Sequence, residues 1–146
     1  MDRTVTDFST ASYNRCEAVG HGLFKQTADA TGISGPTFNP LGFGAKWIDM
    51  DNDGWPAIVY ANGHVYDRTH DVDPSTTFRA PLMLFHNERG KLFPALVPKM
   101  GVEVASGLLA RGVATGDFEN AGRVYFLAVA CATTRRLSLH APPPIT

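Results

Sequence analysis

The chain has 146 residues, of which 44% are hydrophobic and 18% charged, with 14 Gly and 10 Pro. That apolar share can bury a core and the Gly and Pro content makes the chain turn-dense, which excludes disorder, coiled coil and collagen. Thirteen Lys and Arg against fourteen Asp and Glu leave a formal net charge of −1. No basic stripe emerges to neutralise phosphates, so nucleic acid is set aside as a partner.

The charge is unevenly spread: residues 1–73 carry five basic and ten acidic groups, residues 74–146 eight and four. No uncharged run approaches the roughly 18 consecutive apolar residues of a membrane span. The start, MDRTVTDFST, has no apolar segment behind its arginine, so no signal peptide is expected. Cys16 and Cys131 lie far apart and form no CxxC pair, which suggests neither a zinc site nor a disulfide scaffold and leaves their redox state open.

Short β-like segments follow one another, with β-branched and aromatic residues gathered between Gly, Pro, Asn and Asp. Strands are expected over residues 23–27, 43–48, 57–61, 82–86, 92–97, 111–115, 124–130 and 136–140, making the chain all-β. These segments repeat. Phe43-Gly44-Ala45-Lys46-Trp47-Ile48-Asp49 aligns with Arg111-Gly112-Val113-Ala114-Thr115-Gly116-Asp117 at an offset of 68, and Gly20-His21-Gly22-Leu23-Phe24 aligns with Glu88-Arg89-Gly90-Lys91-Leu92-Phe93 at 68 or 69. A fixed period of this kind marks units that bury their faces only by stacking on neighbours. Leu82-Met83-Leu84-Phe85-His86 is echoed by Arg136-Leu137-Ser138-Leu139-His140, a third partial copy. One repeat region over 1–146 is expected, with units at about 1–40 (partial), 41–109 and 110–146 (partial). Residues 63–80 read as a long loop rich in Asp and Thr.

The most informative segment is Asp49-Met50-Asp51-Asn52-Asp53-Gly54. Carboxylates at positions 1, 3 and 5 of a tight loop, with glycine at 6, are how oxygen ligands wrap Ca²⁺. The expected ligands are Asp49, Asp51, Asp53 and the Trp55 backbone carbonyl, with Asn52 supporting the turn. Position 12 is Tyr60 and the flanks look like strands, so this is no EF-hand. Ala57 stands at position 9 where a carboxylate is wanted, so water would complete a weak site. The competing reading is a solvated turn kept for its Asp, Asn and Gly chemistry; three close like charges repel unless a cation screens them, which favours Ca²⁺. In the second copy Asp117 and Glu119 hold positions 1 and 3 but Ala121 replaces the third acid and Tyr125 stands at position 9, so a structural turn is expected there.

At these residues the chain resembles a known family. The run from Leu41-Gly42-Phe43-Gly44 through Asp53-Gly54-Trp55-Pro56, then Tyr60-Ala61-Asn62-Gly63-His64-Val65-Tyr66-Asp67, Leu84-Phe85-His86-Asn87 and Ala110-Arg111-Gly112-Val113-Ala114-Thr115-Gly116-Asp117-Phe118, is similar to the FG-GAP/VCBS repeats of integrin-α-like β-propellers. More narrowly it resembles the cartilage acidic protein 1 family, whose bacterial members carry an ASPIC/UnbV domain. The resemblance covers residues 8–130. It implies antiparallel, four-stranded propeller-type blades, two with part of a third, in an open fragment or decayed copy rather than a closed ring. The 68-residue period suits a four-stranded blade with one long loop. It further implies work outside the cytoplasm, extracellular or periplasmic, with a protein or matrix partner, and open blade edges predict self-association.

Other residues carry weaker signals. His64, Asp67, His70, Asp71 and Asp73 gather in the long loop without a familiar ligand spacing. Ser34 and Ser106 sit beside glycines, yet neither lies in G-x-S-x-G, and no phosphate-binding loop is present. Phe43, Trp47, Trp55 and Tyr60 are expected to pack between blades, and Gly42, Gly44, Gly112 and Gly116 to admit close strand approach. Two functional classes remain. The first is a non-catalytic Ca²⁺-binding repeat module, and the second a metal-assisted hydrolase fragment that joins the acidic loop to the His64 to Asp73 loop. Convergence of Asp49, Asp51 and Asp53 with His64 or His70 would favour the second.

Overall fold

The computed structural model describes residues 1–96, 107–117, 119–120, 124–131 and 137–139. It is all-β, with three antiparallel three-stranded sheets. The first joins β1 (Arg3–Val5), β2 (Asn14–Gly20) and β3 (Leu23–Gln26); the second β4 (Gly42–Ile48), β5 (Ala57–Asn62) and β6 (Met83–Phe85); the third β7 (Ala110–Gly116), β8 (Tyr125–Ala130) and β9 (Leu137–Leu139). A single helical turn, α1 (Thr69–Val72), interrupts the long loop after β5. Among the described residues no helix is long and apolar enough to cross a membrane.

Two differences from the sequence expectation have physical causes. Among the described residues the second sheet has three strands where four were expected, because the expected strand at 92–97 breaks up. Its backbone runs beside β6, with His86 N–H donating to Pro94 O at 3.0 Å and Leu96 N–H to Leu84 O at 2.7 Å. Pro94 has no N–H to continue the ladder, so only bridges at Leu92 and Ala95 form. Residue 97 lies outside the described residues, as do 136 and 140 at the ends of the last expected strand. The second difference is the first sheet, where β1 and β2 accompany the one strand the sequence suggested. The core-facing residue of β2 is the buried Arg15, which disguises the strand as a polar segment.

The central strand β5 is buried along its whole length, and side chains that alternate across a strand divide it between two cores. Ala57, Val59 and Ala61 face Leu82, Leu84, Leu108, Ala110 and Ala128, toward the third sheet. Ile58 and Tyr60 face Tyr13, Ile33, Phe85 and Phe93, toward the first. A strand covered on both sides reads as a continuous apolar run, as this one does. Tyr60 lies in this cluster and Trp47 packs against it, meeting Phe93 edge-on at 6.1 Å. Phe43 instead lies under the Arg111 guanidinium at 4.2 Å, and Trp55 is 41% exposed.

Several backbone irregularities recur at a spacing of 68 residues. The register of β4 with β5 shifts between Gly42 and Gly44, and that of β7 with β8 between Ala110 and Gly112. His21 and Gly22 have φ of 53° and 77°, Arg89 and Gly90 of 54° and 77°. Two consecutive positive φ values are what a two-residue hairpin turn of the I′ type requires. Asn52 and Asn120 are left-handed too, at 57° and 50°.

Close approach of the second and third sheets depends on Gly44, where a Cβ would lie 3.1 Å from Gly112 Cα and Val113 N. The constraint is one-sided, since a Cβ on Gly112 meets nothing within 4 Å. Gly44→Ala is therefore expected to cost about 1–3 kcal/mol through overpacking. Gly112→Ala should be neutral or stabilise by up to about 1 kcal/mol through the unfolded chain. Urea denaturation of the two variants checks this contrast, and equal effects would contradict it.

Candidate metal centre

The acidic loop connects β4 to β5, and its shape is made by its own carboxylates. Asp49 accepts the backbone N–H of Asp53 at 3.2 Å on Oδ1 and that of Gly54 at 3.1 Å on Oδ2. Asp53 Oδ1 accepts the Trp55 N–H at 2.7 Å, the local turn that aspartate side chains favour. Asn52 and Gly54, with φ of 57° and 82°, supply the left-handed corners. Asp49 thus holds the turn, and each of its oxygens keeps a second lone pair.

Asp51 and Asp53 converge with a residue the sequence reading did not single out. Ligand atoms of Asp51, Asp53 and His86 all lie within 4.8 Å of one another, and His86 Nδ1 stands 4.0 Å from Asp51 Oδ2. His86 comes from the residue after β6. The pairing Ile58 with Phe85, carried one residue further, sets His86 opposite Ala57, the very position where the loop lacks its last ligand. Ala57 itself is buried at 3% exposure and offers no side-chain donor, and the imidazole near Asp51 and Asp53 comes from the adjacent strand. Asp51 and His86 are each about a quarter exposed, which leaves the cluster open to solvent on one side.

The His64 to Asp73 loop takes no part in this cluster. Among the described residues the group that gathers is Asp51, Asp53 and His86, not His64 or His70. In the second loop, Asp117 and Glu119 belong to no such group among the described residues, which leave out Phe118, Ala121 and Gly122, and Tyr125 is buried at 8% exposure. Ser34 lends its carbonyl to the Ser12 hydroxyl at 3.0 Å, while Ser106 lies outside the described residues. Cys16 and Cys131 are unbridged.

His64 is buried beneath the long loop, and its hydrogen bonds fix where its proton sits. Nδ1 accepts the Tyr66 N–H at 3.1 Å, so Nε2 carries the hydrogen. Nε2 lies 3.3 Å from both Thr69 Oγ1 and Ser9 Oγ. Thr76 donates to the Asp73 carbonyl at 2.9 Å, so Thr69 donates to Thr76 across 2.8 Å and accepts from His64. The nitrogen nearest Ser9 is therefore a donor, the wrong form to take a proton from a nucleophilic hydroxyl.

No family model and no curated protein matches the chain.

Proposed function

We propose that the chain is a non-catalytic Ca²⁺-binding repeat module of the propeller type, its small sheets serving as blades that present a surface to a protein or matrix partner outside the cytoplasm. The observation that carries the reading is the loop built by Asp49, which aims Asp51 and Asp53 at one point beside β6. Asp49, Asp51, Asp53 and the Trp55 carbonyl are the proposed oxygen ligands, with His86 and water at the open side. The recurrence of bulges and left-handed turns at 68 residues supports the blade reading. The fixed Nε2–H of His64 and the separation of its loop from the acidic cluster weigh against the hydrolase alternative.

With one carboxylate short of a full set, affinity falls at the weak end of protein Ca²⁺ sites, about 10⁻⁴–10⁻³ M. Binding to the folded state alone then adds about 1.4–2.7 kcal/mol of stability at about 10 mM Ca²⁺. The melting temperature of the wild type should rise on adding Ca²⁺, and that of Asp51→Ala should not. Equal responses would leave the loop a solvated turn. His86→Ala should keep most of the Ca²⁺ response, because Ca²⁺ takes oxygen ligands and imidazole is not one.

A further inference from the structure

A cleft of about 500 Å³ opens between the chain leading out of β1 and the loop after β5, and it shares no residue with the Asp51, Asp53 and His86 cluster. Its walls are aromatic. Phe8 meets His64 edge-on at 5.6 Å and Tyr66 lies 5.7 Å from the same imidazole, so both aromatic rings contact one histidine. Phe8 and Tyr66 are 52% and 66% exposed, an unusual outlay of aromatic surface for two residues so close together. The floor is the buried hydroxyl chain from His64 through Thr69 and Thr76, in which each donor already has its acceptor. Thr10, a β-branched residue, is held there at φ of 67°, a strained conformation that the surroundings must impose.

The charge at the rim is one-sided. Asp67, Asp73 and Arg68 line the cleft, but the Arg68 guanidinium is engaged by Asp71 at 2.7 Å. Asp73 is kept ionised by the Ser75 hydroxyl and N–H on its Oδ1, which hold its carboxyl below the usual range. Electron-rich ring faces beside uncompensated carboxylates attract a positive charge carried on an apolar body, and a hydrated inorganic ion would gain nothing from the rings. A cavity of this size, mostly apolar with a few convergent polar groups, suits a small ligand or a single side chain.

We propose that this cleft binds an organic cation, a protonated or quaternary amine, seated against Phe8 and Tyr66 with Asp67 and Asp73 balancing its charge. The amine is either free or at the end of a partner's lysine side chain. The test titrates choline, its uncharged carbon isostere 3,3-dimethylbutanol, and a lysine-containing peptide into the full chain, following backbone amide shifts of residues 8–10 and 64–76 by NMR. Choline should give saturable shifts there, and the isostere should bind at least about fivefold more weakly. Peptide binding tighter than choline assigns the lysine source, and the reverse a free amine. Tyr66→Ala, at an exposed side chain whose loss leaves the core intact, should weaken choline about fivefold or more, as should Asp67→Asn. No saturable shift from either cation, equal binding of the isostere, or unchanged binding by both variants overturns the proposal.

Discussion

Phe85→Ala is expected to destabilise the protein by about 3–5 kcal/mol, the range for truncating a fully buried aromatic side chain. Phe85 ends β6 with none of its surface exposed. Its ring meets Tyr60 edge-on at 5.7 Å, and Tyr60 meets Tyr13 at 4.9 Å. That series runs from the second sheet into the segment between β1 and β2, with Ile33 and Phe93 closing the same cluster. The cavity left by an alanine would therefore loosen two sheets at once. Phe24→Ala provides the contrast, because Phe24 lies on the outer first sheet, 38% exposed beneath Arg3. Its loss should cost below about 1 kcal/mol. Urea unfolding of both variants decides between a shared core and sheets that hold themselves together. A Phe85→Ala effect as small as that of Phe24→Ala would refute the shared core.

The parts of the fold that were legible are those where polarity and burial agree. β4 to β8 announce themselves because β-branched and aromatic residues sit between turn residues, and β5 was visible as an unbroken apolar run. β2 was not, since Arg15 points inward. Its guanidinium bonds Thr27 at 2.6 Å and Asp2 at 2.8 Å and lies over Phe93 at 4.8 Å. Those partners come from three separate stretches of chain, and no local pattern discloses them. Its Nε is buried with no hydrogen-bond partner among the described residues, an expensive arrangement that composition would never suggest. The candidate metal site divides in the same way. The loop from Asp49 to Gly54 is a local motif, legible as an acidic turn in which Asn52 takes a left-handed corner. His86 was missed because its place opposite Ala57 depends on the pairing of β5 with β6 across the long loop. Register is a tertiary fact, and one residue of slip would have sent that histidine to the other face.

Stability is expected to fall steeply above pH 10, through two buried tyrosines. Burial pushes the Tyr60 phenol up to about 12, opposed in part by the nearby charge of Arg15. Burial, reinforced by the neighbouring Tyr60, drives Tyr13 upward further still. Each hydroxyl is a donor in the fold. Tyr13 gives its proton to Asn62 Oδ1 at 2.8 Å. Thr4 spends its own proton on the Asn14 carbonyl, so Tyr60 donates to Thr4 Oγ1 at 2.6 Å. In the unfolded chain both phenols ionise near the ordinary tyrosine value of about 10, while the folded protein retains both protons. The unfolded state then binds fewer protons, so stability declines as pH rises. The tyrosine contribution is fully present below about pH 10, and the part due to Tyr60 disappears through about 12. Each tyrosine contributes a slope of up to about 1.4 kcal/mol per pH unit, and the pair about 2.7. Tyr60→Phe should halve that slope, at the cost of about 1 kcal/mol at pH 9 from the lost hydrogen bond. Urea midpoints at pH 9, 10 and 11 for the wild type and Tyr60→Phe provide the measurement. A wild-type midpoint that stays flat from pH 9 to 11 would mean that the two rings are open to solvent and that the first and second sheets do not close over them.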